Sequence, residues 1–235
     1  MATLTFNPDA SAETTSVDGQ AGRVVTNSLW DDIHGGNGTA TDDDDPVNRA
    51  NASQDYGQTT TDRWDNFHRG MLNFDTRSLG ASATVSAAEF QLVLTQKDDD
   101  FTDYARLVNH ETYYRGEAPN FRAISVQDYQ TAAAFTTAHA TDITVANLNA
   151  DSSTFNAWTL NATGIAYIKT EGVTEFGVRV GIDIADSDPG GWVLHAQKQT
   201  MLVWASSDET LSGDKKPKLV VTYTVPTFTP RAIMF

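Results

Sequence analysis

The sequence predicts an all-β fold: two packed antiparallel sheets, a β-sandwich with one short helix. Three observations lead there. About ten segments alternate apolar and polar residues with a period of two, the pattern of a strand with one face buried and one wet. Polar turns rich in Gly, Asp, Asn and Thr separate these segments. Helical spacing bounded by start and stop signals occurs in one stretch, too little for the crossover helices of a parallel α/β sheet.

Residues 1–68 are the least regular part. TLTF, GRVVTN and SLWDDI each read as a short strand, and NPDASAE, HGGNGTATDDDDP and NRANASQDYGQTTTD read as surface loops between them. The first well-patterned strand is RGMLNFD, residues 69–75, with Leu72 and Phe74 on one face and Asn73 and Asp75 on the other. AEFQLVLTQ, residues 88–96, alternates Phe90, Leu92 and Leu94 against Gln91 and Thr95, and the acidic run at 98–100 predicts a turn. YARLVNHETYY, residues 104–114, is the next strand, followed by a loop at APN. Over 120–148 the reading stays open, because AISVQDYQ and TDITVANL carry strand signals whereas TAAAFTTAHA suits a helical turn or a loop.

The one predicted helix lies in FNAWTLNATGIAYIKTEG, residues 155–172. There a strand is followed by Thr163 as N-cap, by Ile165 and Ile168 three apart, and by a stop at Gly172. EFGVRVGIDI then sets Phe176, Val178, Val180, Ile182 and Ile184 on one strand face, against Gly, Arg, Gly and Asp on the other. GWVLHAQ, TMLVWAS and PKLVVTYTV complete the strands, the last with Leu219, Val221, Tyr223 and Val225 along one side. No repeat of fixed period is present. The predicted organisation is one domain over 1–225 and an apolar tail over 226–235. Phe228, Ile233, Met234 and Phe235 in that tail are expected to contact a neighbouring subunit.

Composition narrows the function classes. The 235 residues carry 16 Lys and Arg against 31 Asp and Glu, a formal charge of -15, and 24 of the acids are Asp. Asp favours turns and oxygen-rich loops, and such a field repels nucleic acid, so neither DNA nor RNA is expected as a partner. There is no cysteine, which excludes disulfides and thiolate metal sites. No apolar run approaches 18 residues, so no membrane insertion is expected. Arg23 is the first cationic residue and no apolar stretch precedes it, so the sequence predicts no secretory signal and assembly in a host cytoplasm.

No catalytic constellation is written in the chain, and the sequence reads as non-enzymatic. A nucleophilic serine would sit in Gly-x-Ser-x-Gly, which does not occur. His34, His68, His110, His139 and His195 lack the paired spacing that holds zinc and read as surface or strand residues. Calcium is the one cofactor suggested: Asp183, Asp186 and Asp188 lie close enough in DIADSDPGG to converge on a hard cation, although a solvated turn is the commoner use of that pattern. Asp42, Asp43, Asp44 and Asp45 read as a water-facing loop. Sugar binding needs exposed rings beside polar groups. Trp30, Trp64 and Trp192 have polar or Gly-rich surroundings and are the candidates, weighed against ordinary core packing, whereas Trp158 and Trp204 read as core.

Three segments carry a family resemblance: RGMLNFDTRSLGASATVSAAEFQLVL at 69–94, FNAWTLNATGIAYIKTEGVTEFGVRV at 155–180 and KPKLVVTY at 216–223. Together they resemble the disaggregatase-related, DNRLRE-like domains, over about the last two thirds of the chain and in the expected order. The opening PDASAETTSVDGQAGRVVTNSLWDDIHGGNG is similar to versions found in bacteriophage structural proteins, and residues 1–68 depart from the secreted versions. The resemblance implies a β jelly roll acting as a structural or adhesive module. The expected role is a virion surface component, either capsid decoration or part of a tail or fibre. Its expected partners are other virion proteins, further copies of itself in a homo-oligomer, with a trimer as the anticipated count, and a surface glycan. The runner-up is a carbohydrate-binding module recognising a cell-surface or extracellular polysaccharide.

Overall fold

In a computed structural model describing residues 1–11, 13–54, 62–111, 124–191, 196–209 and 214–226, the alternating segments become strands of two antiparallel sheets. In chain order the strands are β1 (Ala2–Phe6), β2 (Asp18–Ser28), β3 (Ala40–Asp42), β4 (Val47–Gln54), β5 (Trp64–Asp75), β6 (Thr84–Leu92) and β7 (Leu94–Asp99). They continue with β8 (Tyr104–Asn109), β9 (Ile143–Thr144), β10 (Asn156–Thr159), β11 (Val173–Val180), β12 (Gln199–Ala205) and β13 (Lys218–Thr224). The helices are α1 (Trp30–Gly35), α2 (Val126–Ala133), α3 (Ala162–Tyr167) and α4 (Gly181–Ala185).

The smaller sheet has the order β1-β13-β6-β10 and sets the first strand beside the last among the described residues, from Ala2↔Tyr223 to Phe6↔Leu219. The larger runs β7-β12-β4-β5-β11-β8-β9, with β2 paired to both β5 and β3. Its hub is β5, which pairs with β2 along Trp64–Leu72, with β4 along Trp64–His68 and with β11 along Gly70–Asp75.

The core between the sheets is aromatic. Phe90 on β6 meets Phe74 and Phe176 of the larger sheet, each with centroids 6.1 Å apart, and Trp158 on β10 at 5.8 Å. Trp204 on β12 lies over Gly70 so closely that a Cβ there would collide with the indole. Glycine is required at this position by the approach of a ring rather than by backbone angle.

The other face of the larger sheet is covered as well. Trp30 and Ile33 of α1 and Tyr129 of α2 are buried over β5 and β2, and all eight residues of β11 are buried as well, polar ones included. This second layer goes with three departures from the sequence reading and with one segment, AISVQDYQ, that the sequence left open. SLWDDI is not a strand: Trp30, Ile33 and His34 form the buried stripe of α1 at helical spacing. AISVQDYQ supplies α2, whose start is fixed by Asp128 Oδ2 accepting from the Ser125 amide at 2.6 Å. The strand predicted through EFGVRVGIDI stops at Val180, and Gly181–Ala185 turn as α4, which ends at Asp186 in the left-handed region with φ 46°. NRANASQ, read as loop, lies in the buried strand β4.

The predicted helix is present as α3, capped by Asn161 rather than Thr163: Asn161 Oδ1 accepts from the Gly164 amide at 2.9 Å. Most of GWVLHAQ, the end of the 104–114 strand and the tail residues Phe228, Ile233, Met234 and Phe235 lie outside the described residues. Among the described residues no helix is long and apolar enough to cross a membrane.

Candidate functional site

The densest polar cluster lies under α1 and α2, on the covered face of the larger sheet. Odd-numbered residues of β5 and β11 point there, which places Arg69 and Arg179 next to each other on paired strands. Asp183, in the helical turn directly after β11, sits between them. Its Oδ1 receives Arg69 Nη2 at 2.7 Å and its Oδ2 receives Arg179 Nε at 2.5 Å, and all three side chains are 1% exposed or less. Burial alone would raise the Asp183 carboxyl, but the Arg179 and Arg69 guanidiniums outweigh it and hold the group well below the ordinary carboxylate range.

Backbone carbonyls accept further guanidinium protons. Arg69 donates to Tyr129 O at 2.5 Å and to His34 O at 3.3 Å. Arg179 donates to Ala132 O, Ala133 O, Phe135 O and Asp183 O at 2.6–3.2 Å, closing the end of α2. The Tyr129 ring lies 4.2 Å from the Arg69 guanidinium carbon, and its hydroxyl donates to Ile33 O at 2.5 Å. His34 Nε2 meets Asp183 Oδ1 at 3.1 Å while its Nδ1 meets the exposed Asp186 carboxylate at 2.7 Å. This cluster ties five chain segments together and engages its charged atoms internally; its chemistry is that of a brace.

Trp30, Trp64 and the candidate aspartates converge beside this brace, with the two rings in the core-packing role that the sequence weighed above sugar stacking. Trp30 is 7% exposed and Trp64 fully buried, with ring centroids 4.9 Å apart, so neither offers an open ring for a sugar. Their polar neighbours are the 186–188 turn, which caps them: Trp30 Nε1 donates to Asp186 Oδ1 at 3.2 Å and Trp64 Nε1 to Asp188 Oδ2 at 3.4 Å. Calcium ligation by Asp183, Asp186 and Asp188 together does not match this geometry, because Asp183 is turned inward onto two arginines. No three acidic or histidine side chains among the described residues form a metal-holding group. Trp192 and His195 lie outside the described residues.

Of the histidines expected at the surface or in strands, His68 lies in β5, and none of the four described is at the surface. His34, His68, His110 and His139 are all at most 9% exposed. Burial pushes His110 down to about 3, and burial with Arg49 nearby pushes His68 down to about 4.

A second acidic cluster forms where residues 9–11, 13–16, 42–45 and 206–208 meet. Ser11 joins Asp208 at 2.5 Å through its amide and Asp44 at 3.0 Å through its hydroxyl. Beneath this layer lies Asp18, fully buried, accepting from Ser207 N at 3.1 Å, from the Ser207 hydroxyl and from Asn48 Nδ2 at 3.0 Å. Burial raises its carboxyl to about 7 despite those donors. Asp42 is raised to about 6, first by burial and then by Asp45 beside it.

An open groove of about 320 Å³ runs along Asn37, Gly38, Val126, Gln127 and Gln130. It offers amide groups but no ring. The large apolar side chains exposed among the described residues are Met1, Val24, Leu29 and Val225, none of them aromatic.

Sequence reasoning missed Arg69, Arg179, His34 and Tyr129. The available signal was Met71 between Arg69 and Asn73, an apolar residue on the supposedly wet face of β5, together with Arg179 and Asp183 spaced four apart. No protein-family model matches this chain, and no curated protein matches it.

Proposed function

We propose that the chain is a non-enzymatic jelly-roll structural protein of the DNRLRE-like kind, serving on the surface of a bacteriophage particle as capsid decoration or as part of a tail or fibre, in contact with further copies of itself. The observation that carries the structural role is the Arg69–Asp183–Arg179 brace, because it spends its charged groups on stiffening the scaffold rather than on an open reactive cleft. The phage assignment is supported by the resemblance at 8–38, 69–94, 155–180 and 216–223. The test is mass spectrometry of purified particles from the source, together with the identity of neighbouring genes. Recovery of the chain at stoichiometric level beside capsid and tail proteins is the expected result, and its recovery only among secreted glycan-degrading proteins sinks the reading.

A carbohydrate-binding role is the second reading, favoured by the amide-lined groove at Asn37, Gln127 and Gln130. A glycan array with wild type and Gln127→Ala/Gln130→Ala separates the two readings: ligand signals lost in the double variant support sugar binding, and an array without signals supports the structural role alone.

A further inference from the structure

Strand β1 is an open sheet edge of unusual composition. One side pairs with β13 through five residues without a register break, and on the other side its backbone has no hydrogen-bond partner among the described residues. Sheet edges are ordinarily guarded by charge, proline, a bulge, shortness or a covering segment. The other edges here follow that rule. β7 carries Lys97, Asp98 and Asp99, and the Lys97 ammonium is tied to the carbonyls of Val145, Ala146 and Leu148 at 2.6–3.0 Å. β10 has four residues and is flanked by the Ala140↔Leu160 bridge and by amide bonds between Asn149 and Asn156. β3 and β9 have three and two residues. β1 reads ATLTF: it has no charge, no proline and no bulge.

Charge favours one occupant for this edge. In a chain of net charge -15, the four strands of the smaller sheet hold one acid, Glu89, and one base, Lys218. A second copy can approach this sheet without the repulsion that the acidic cluster around Asp42–Asp45 and Asp208 imposes. The strand is also self-complementary. Antiparallel pairing about a two-fold axis at Leu4 sets Leu4 against Leu4, Thr3 against Thr5 and Ala2 against Phe6, so hydroxyls meet on the outer face and small meets large on the inner one. Met1 and Val225, two of the exposed apolar side chains, stand at the same edge beside a groove of about 420 Å³ lined by Met1, Ala2, Tyr223, Thr224 and Val225.

We propose that β1 is a self-association edge, through which two copies pair antiparallel over Ala2–Phe6 and join their smaller sheets into one continuous sheet of eight strands. The count it implies is two rather than three. Pairing of five residues a side buries less than the roughly 1,200–2,000 Å² of a stable complex, so the dimer is reversible and depends on concentration. The inference rests on the edge alone and holds whether or not the virion reading does.

Sedimentation velocity on the full chain, from about 1 µM to about 1 mM, tests it. The expected result is a monomer–dimer equilibrium that Thr3→Lys/Thr5→Lys weakens at least tenfold with an unchanged thermal melt, since both positions are exposed. Mixing that variant with Thr3→Glu/Thr5→Glu should restore the dimer, because position 3 of one copy faces position 5 of the other. A monomer throughout the range, a dimer indifferent to the lysines, or a dimer formed only after removal of residues 226–235 overturns the proposal; the last outcome would assign the edge to the chain's own tail.

Discussion

Arg69 and Arg179 stand side by side on the paired strands β5 and β11 and share a single carboxylate, that of Asp183. Two like charges at adjacent cross-strand positions are destabilising by themselves, and removal from water makes them more so. One buried anion between them, with carbonyls around the outside, converts that conflict into a junction of α1, α2, α4, β5 and β11.

Removing the shared anion leaves both guanidiniums buried without compensation. Asp183→Asn is expected to cost about 3–5 kcal/mol of unfolding free energy, as breaking a buried pair does. Urea denaturation followed by tryptophan fluorescence measures this, and a loss under about 1 kcal/mol would contradict the role assigned to Asp183.

Gly70 is held open for the Trp204 indole. Gly70→Ala forces the ring or the strand to move and is expected to destabilise the protein by about 1–3 kcal/mol, the usual cost of overpacking. The near-ultraviolet circular dichroism of the tryptophans should change with it. Gly80 is the control: it has open space around it but φ 80°, so alanine there reports backbone strain alone.

Asp18 sets a pH dependence of definite sign. Its carboxyl is raised in the fold to about 7, so its contribution to stability is complete below the unfolded value near 4 and is lost as pH rises through about 7. The stability difference between wild type and Asp18→Asn should therefore shift against wild type between about pH 4 and about pH 7, by up to about 1.4 kcal/mol per pH unit, and level off above. Urea midpoints of both proteins across that range check it, and a constant difference would show that Asp18 is ionised in the fold throughout.

His68 and His110 have the opposite sign. Both are depressed by burial, so they stay neutral in the fold, and their contribution is complete above the unfolded value near 6.5 and lost as pH falls toward about 4 and about 3. Their ring proton resonances should not titrate between about pH 8 and about pH 5, where an exposed imidazole would. A midpoint near 6.5 for either would place that ring in water.

What the sequence made legible was the inter-sheet core. Leu72, Phe74, Phe90, Phe176, Leu219 and Val221 alternate with polar residues, and each lies where period-two patterning puts it. The pattern failed where burial is not apolar. β4 holds Asn48, Asn51, Ser53 and Gln54 in the interior, paired through contacts such as His68 Nδ1 with Asn51 Oδ1 at 2.7 Å and Ser53 with Gln199 at 2.8 Å, and no hydrophobic period marks such a strand. It failed too where a window is short: Trp30, Ile33 and His34 fit a helix only once a sheet lies beneath them. For Trp30 and Trp64 ordinary core packing, the commoner use of such a ring, is what the fold shows, but the groups that meet their N–H atoms come from a turn more than a hundred residues away and leave no local signal.

The pairing of Ala2–Phe6 with the strand ending at Thr224 has a kinetic corollary. Closing a contact across some two hundred residues is entropically slow, and a nascent chain cannot make it until residue 224 has emerged from the ribosome. During synthesis the segment near residue 4 therefore waits without its native neighbour, and folding yield should fall when many chains are made close together.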